Sequence, residues 1–225
     1  MWLEIEYVPT SLFSFKDIKA TNTAATSLLF PTPFGVKMAL ISEAIKKFDL
    51  EKGRNVFKLI KEREIKYNLP EEAVVNKTFG RINDLRNKIG RSKPAYREYV
   101  YFNGSLKLAI NTDDLSQEEI DLLKLLFVRI NYFGKKGSFM QFKKSKITED
   151  LNDNYLKLMI EGEIDFNFKS IIQQTEDIPS DASFEAINIY NENESLSRDN
   201  NERLYVVNIE KTLSGDGYQY YKILN

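Results

Sequence analysis

The sequence predicts an α+β fold for these 225 residues. Three observations carry that prediction. Runs rich in β-branched and aromatic residues alternate with stretches whose apolar residues recur every three or four positions. Over residues 1–148 the order reads strand, helix, strand, hairpin strand, helix, strand. Over residues 149–225 strand-like runs dominate and the charge turns acidic. The first order is that of a ferredoxin-like or RRM-like core with added segments. The expected organisation is a core domain over 1–148, with a basic insertion near 77–97, followed by an acidic, β-rich C-terminal region over 149–225.

Each element has its own signal. Trp2 to Val8 reads as the first strand, because Leu3, Ile5 and Tyr7 alternate with Trp2, Glu4 and Glu6. Thr10 to Thr32 is rich in Thr, Ser and Asn and reads as a long loop, closed by Pro31 and Pro33. Gly35 to Phe48 reads as a helix with Val36, Ala39, Leu40 and Ala44 as its apolar stripe. Lys37, Glu43, Lys46 and Lys47 fall outside that stripe, and a solvated face is expected for the lysines. A second helical stretch fits Arg54 to Tyr67. Ala73-Val74-Val75 begins a β-like run that turns strongly basic. Gly80, Gly90 and Pro94 break that basic window, so it is not one long helix.

Tyr99 to Phe102, Asn103-Gly104 and Ser105 to Ile110 together predict a tight hairpin, since both turn residues tolerate positive φ. Tyr99 and Tyr101 should share one strand face, with Val100 and Phe102 on the other. Ser116 and Glu119 form a capping box that opens a helix buried along Ile120, Leu123, Leu126 and Phe127. Phe139 to Phe142 is the next strand. Leu204 to Ile209 and Tyr218 to Ile223 are strands joined across Ser214 to Gly217, and Asn191 to Asn201 is the expected mobile loop.

Composition narrows the function classes. The chain has no cysteine, which excludes disulfides and thiolate metal sites and fits a cytoplasmic location. It has no histidine, so the commonest general base and metal ligand are missing. No cofactor or metal site is expected, and no apolar run is long enough for a membrane span. Net charge is only −1, yet Glu149 to Arg203 holds fourteen acids and four bases, which leaves the rest near +9. A cationic body suits a polyanion. The acidic stretch reads first as a solubilising surface.

Two segments are candidates for phosphate contact. The first is the basic window, with Lys77, Arg81, Arg86, Lys88, Arg91, Lys93 and Arg97. Affinity for RNA comes largely from phosphate neutralisation by such cations. Phe79 and Tyr96 in this window either stack on splayed bases or pack on the core. The second is Gly134-Lys135-Lys136-Gly137-Ser138, where glycines let backbone amides approach a phosphate and the lysines add charge. It lacks the Walker spacing, and an ordinary cationic turn is the alternative. For Tyr99 and Tyr101 the ordinary reading, half-buried sheet tyrosines, is preferred over base stacking.

Three stretches in this order resemble the Cas-five family of CRISPR-associated RAMP proteins: Phe30-Pro-Thr-Pro-Phe-Gly35, Tyr96-Arg-Glu-Tyr-Val-Tyr-Phe102, and Ile130-Asn-Tyr-Phe-Gly-Lys-Lys-Gly-Ser-Phe139. The resemblance covers about the first two-thirds of the chain. It implies an RRM-like (RAMP) core with a projecting thumb, here the basic insertion. It also implies a binding role at one end of a type I Cascade complex, holding the 5′ handle of CRISPR RNA (crRNA). The implied partners are crRNA, the backbone subunit of the Cas-seven family and the large subunit, with target DNA nearby. In one subtype the family member cleaves precursor crRNA using histidine, which this sequence lacks.

The expected function is therefore non-catalytic crRNA binding in an antiviral surveillance complex. The alternative is a metal-independent endoribonuclease using Lys135, Lys136 and nearby tyrosines, since a lysine of depressed pKa can act as a base. A protein outside CRISPR that shares an RRM-like core is the third reading.

Overall fold

The computed structural model describes residues 1–17, 24–83, 92–159, 169–188, 196 and 201–224. Arg86, Lys88 and Arg91 of the basic window lie outside the described residues, as does most of Asn191–Asn201. The protein is a mixed α/β molecule. In chain order its elements are β1 (Trp2–Pro9), β2 (Phe15–Lys16), β3 (Ala24–Ala25), β4 (Ser27–Leu28), α1 (Pro33–Lys47), α2 (Leu50–Ile60), β5 (Ile65–Asn68), β6 (Glu72–Asn83), β7 (Ser92–Phe102) and β8 (Leu106–Asn111). They continue with α3 (Gln117–Arg129), β9 (Met140–Thr148), β10 (Lys157–Leu158), β11 (Ser170–Glu176), α4 (Phe184–Ile187), β12 (Glu202–Gly215) and β13 (Tyr218–Ile223).

Four strands form one sheet in the order β5-β8-β1-β9, with every neighbour antiparallel. Leu3, Ile5 and Tyr7 of β1 are fully buried, as their alternation requires. The Tyr7 hydroxyl donates to the Phe127 carbonyl at 2.6 Å, tying the sheet to the end of α3. Pro33 sits at the start of α1, where its missing N–H costs nothing, and Thr32 caps it by accepting from the Gly35 N–H at 3.0 Å. The capping box on α3 forms as read, between Ser116 and Glu119. Each fully buried large apolar side chain in this core contributes roughly 1.5–3 kcal/mol.

A second sheet runs β10-β12-β13-β6-β7-β3, with β11 also on β12. Within it, β12 and β13 from residues 149–225 join β6 and β7 from residues 1–148. Asp216 and Gly217, the latter at φ +84°, make the turn between β12 and β13.

The structure corrects four sequence readings. The Asn103-Gly104 hairpin does not form. β7 pairs with β6 along its whole length, from Ala73↔Phe102 to Asn83↔Ser92, while β8 pairs with β1 and β5 in the other sheet. Gly104 takes φ +136° but Asn103 does not go positive, so the two-residue hairpin turn is not satisfied. Asn103 is instead held to Glu72, by its backbone N–H at 3.3 Å and its side chain at 2.8 Å, and the dipeptide is a corner between sheets. The second helix is α2, ending at Ile60; Ile65–Asn68 is a strand whose buried side chains face the core. The Thr10–Thr32 loop contains the short strands β2, β3 and β4.

Lys37 is the fourth correction. It does not lie on a solvated face: its side chain is 0% exposed, and its ammonium donates to Asp177 at 2.6 Å and to the Lys61 carbonyl at 2.8 Å. Burial pulls its pKa down, and the Asp177 carboxylate opposes that. Asp177 belongs to the acidic region, so at least this acid is a structural partner rather than a solubilising charge.

Candidate nucleic-acid interface

β6 and β7 build a long antiparallel ribbon, so the basic window is strand from Lys77 to Asn83 and from Ser92 to Arg97. Its register assigns faces. Ala73, Val75, Val100 and Phe102 lie buried at the root, and on the same face farther out stand Lys77 opposite Glu98, Phe79 opposite Tyr96, and Arg81 opposite Pro94. The other face carries Thr78 opposite Arg97, and Tyr99 and Tyr101, as the period of two required. Phe79 and Tyr96 are 59% and 54% exposed. Their rings pack on each other at 5.3 Å rather than on the core. An exposed aromatic pair flanked by cations matches the stacking chemistry of single-stranded RNA.

The charges on this ribbon are not equivalent. Lys77 is ion-paired to Glu98 at 3.2 Å. Arg97 donates to the Tyr96 carbonyl at 2.9 Å. Arg81 and Lys93 are exposed, and Arg81 has no ion pair among the described residues.

The glycine-lysine loop is anchored at both ends. Phe133 is fully buried, with its ring 5.2 Å from that of Tyr7. Ser138 is 2% exposed; its hydroxyl accepts from the Ser14 N–H at 3.1 Å and donates to the Ser14 carbonyl at 3.0 Å. That hydroxyl is therefore committed to the backbone. Between the anchors, Gly134, Lys135, Lys136 and Gly137 are all exposed. Gly134 and Gly137 sit at φ +63° and +106°, and a Cβ on either would meet open space. The backbone conformation, not crowding, is what requires glycine there.

Two residues join this loop to the ribbon. Phe13 exchanges both backbone hydrogen bonds with Val100 of β7, at 3.0 and 2.7 Å, and its ring packs on Phe102 at 4.9 Å. The next residue, Ser14, holds Ser138. A cleft of about 420 Å³ opens beside the loop, between α1 and Ile130–Gly134, and is lined by Thr32, Phe34, Gly35, Tyr132 and Gly134. The structure thus brings Thr32–Gly35 beside Ile130–Gly134, and links the loop through Phe13 and Ser14 to the root of the strand that carries Tyr96–Phe102.

A further basic row went unread in the sequence. Lys143, Lys144 and Lys146 lie on the edge strand β9, where the register shifts between Glu6 and Tyr7. The bulge places Lys143 and Lys144 both against Glu6, at 2.8 and 3.4 Å, and Lys146 lies 3.3 Å from Glu4. Hydrogen bonding from Lys143, helped by Ser105 and Lys144, pushes the Glu6 pKa down to about 2 against the cost of its burial. Alternation in β1 could have flagged Glu4 and Glu6 as one face, but nothing in the sequence pairs β1 with β9. Among the described residues, no three acids gather as a metal site. No described helix is long and apolar enough to cross a membrane.

No family model matches this chain. In sequence it is 24% identical over 200 residues to a curated protein of Archaeoglobus fulgidus named CRISPR-associated protein Cas5, covering 84% of this chain and 85% of that one. In fold it superposes on a CRISPR protein from Archaeoglobus fulgidus with a TM-score of 0.50 at 10% identity, covering 100% of this chain and 92% of the other. A chain of a CRISPR RNA-guided surveillance complex gives a TM-score of 0.45 at 12% identity, covering 92% of this chain and 89% of its own. The fold relationship rests on the first of these two structures. The chain is thus similar in sequence to a CRISPR-associated protein Cas5 and in fold to a CRISPR protein, the resemblance expected from Phe30–Gly35, Tyr96–Phe102 and Ile130–Phe139.

Proposed function

We propose that this chain is a non-catalytic, crRNA-binding subunit of a Cascade-type CRISPR effector, and that it holds the 5′ handle of the crRNA. The observation that carries the reading is the Phe13-Ser14 brace, which fixes the exposed glycine-lysine loop to the root of the basic ribbon. A ribbon with exposed cations and a stacked aromatic pair suits one stretch of RNA, and a loop of two free lysines suits a neighbouring phosphate. The likeness to a Cas5 protein supplies the biological setting. The sheet order β5-β8-β1-β9, split by crossovers through α1–α2 and α3, supports a ferredoxin-like core, with the ribbon as its thumb. Backbone and large subunits of the effector are the proposed protein partners, with target DNA close by, in the cytoplasm.

The test is direct. Purified protein is titrated with repeat-derived RNA by fluorescence anisotropy and, separately, incubated with the same RNA in chelator and run on a denaturing gel. Salt-dependent binding without cleavage is the expected result. Site-specific cleavage that disappears in Lys135→Ala or Lys136→Ala would replace this reading with the endoribonuclease one. Absence of RNA binding would refute both.

A further inference from the structure

The outer face of the larger sheet is a second surface, opposite the buried side that carries Ala73, Val75, Val100 and Phe102. Strand register builds it row by row. Leu213, Tyr220, Val74 and Tyr101 are successive partners across β12, β13, β6 and β7. Tyr218, Asn76 and Tyr99 form the next row. Residues directly opposite one another in neighbouring strands share a face. Tyr101, Tyr218 and Leu213 are exposed, and Tyr99, Tyr220 and Val74 are half-buried. Four tyrosines thus stand together on one open sheet face.

A slot opens within the first row. It holds about 230 Å³ and is lined by Glu72, Val74, Tyr101, Asn103 and Tyr220. That is below the roughly 300–1,000 Å³ of small-molecule sites and suits a single side chain. Val74 is its floor, and the two tyrosines flank it, since they partner Val74 from opposite sides. Glu72 closes one end. One of its carboxylate oxygens accepts from the Asn103 amide at 2.8 Å, and the other accepts from the Tyr220 hydroxyl. These two bonds fix the carboxylate and hold its pKa below the usual range, so it is charged at neutral pH. Lys222, opposite it in the register, acts on it only through space. Each oxygen keeps a lone pair for a further donor.

An ionised carboxylate between aromatic rings, over an aliphatic floor, is complementary to a guanidinium on its alkyl stem. It carries the wrong charge for a phosphate. We propose that this face is the docking surface for a protein subunit of the effector, which seats an arginine in the slot between Tyr101 and Tyr220 against Glu72. Apolar residues of that subunit cover Tyr99, Tyr218 and Leu213 around the slot, because buried tyrosines carry much of the energy of such contacts. The two faces of the ribbon then divide the work: Phe79 and Tyr96, on the opposite face, are left to RNA. The inference rests on the reading of the chain as one subunit of a larger effector, and adds where and by what chemistry another subunit docks.

The probe is the peptide acetyl-Leu-Arg-Leu-amide, with citrulline in place of arginine as its neutral twin, titrated into the full chain and followed by NMR. Saturable binding at about 1 mM is expected, with the arginine peptide preferred by about fivefold or more. Glu72→Gln keeps an acceptor but removes the charge, so it should bring the two peptides within about twofold of each other. If Glu72→Gln does not fold, Tyr101→Ala, which removes one wall and leaves both anchors of Glu72, should weaken the arginine peptide by about threefold or more. Oligouridine, measured by anisotropy on the same samples, should bind the wild type and both variants alike. No saturable binding of the arginine peptide, or equal binding of both peptides by the wild type, overturns the docking inference and leaves the RNA reading intact. A preference retained in folded Glu72→Gln overturns it as well. Loss of oligouridine binding in Tyr101→Ala assigns this face to RNA and also overturns it. Failure of the wild type to bind oligouridine, with the arginine preference present, refutes the RNA reading and supports the docking inference.

Discussion

Five lysines lie between Lys135 and Lys146, and a short distance along the chain separates two kinds. Lys143, Lys144 and Lys146 are 55%, 65% and 60% exposed, yet each is ion-paired with a glutamate of β1 that is almost buried. Lys135 and Lys136 are exposed on a turn that offers no carboxylate. Lys37 is the far extreme, enclosed with Asp177. Exposure and sequence density therefore do not say which cations are available to a polyanion. The neighbouring strand decides, and on β9 a single bulge directs two lysines onto one acid.

That contrast can be broken at several strengths. The largest effect belongs to Lys37. Lys37→Ala leaves the nearly buried Asp177 with Arg203, 3.9 Å away, as its remaining cation, and should cost about 3 kcal/mol, measured by urea unfolding. A loss under about 1 kcal/mol would mean that water enters and the pair is not truly enclosed.

Glu6 comes next. Its folded pKa is depressed, so its contribution to stability is complete above the usual carboxylate range and fades as pH falls from 4.5 toward about 2. With partners more than half exposed, the contribution is about 2 kcal/mol. Thermal unfolding between those pH values should show a slope that Glu6→Gln flattens. An identical slope in the variant would place the acid sensitivity elsewhere.

The double variant Lys135→Ala, Lys136→Ala should change stability by no more than about 0.5 kcal/mol per site. It should weaken RNA binding and lower the slope of log K against log salt by about 0.7 per lysine. Normal RNA binding would reduce the loop to a turn. The smallest effect separates two ribbon cations: Arg81→Ala should reduce the slope by about 0.7, and Lys77→Ala, whose cation already faces Glu98, by less. Equal effects would erase the distinction between paired and unpaired charge.

What was legible in the sequence follows from range. The alternation of Leu3, Ile5 and Tyr7, the faces of Tyr99 to Phe102 and the Ser116–Glu119 box are local patterns, and each survives in the structure. The Asn103-Gly104 hairpin was a sound local inference defeated by pairing at long range, because Glu72 and the strand it begins claim that end of β7. Lys37 was misread because its partner is 140 residues away. Of the candidate site, the loop and the ribbon cations were visible as composition. Their connection through Phe13 and Ser14, and the neutralisation of the β9 lysines, were not, since both depend on which strands become neighbours.

The position of β13 has a consequence for biosynthesis. It lies between β12 and β6, with Tyr218 opposite Asn76. While the chain is being made, β6 and β7 emerge and can pair early, but the outer edge of β6 stays bare until residues 218–222 have followed. A long strand with open hydrogen-bonding groups is the kind of surface on which nascent chains associate wrongly. Newly made molecules would then complete the ribbon's support last, and cells making this protein fast should accumulate it in aggregates before they run short of its folded form.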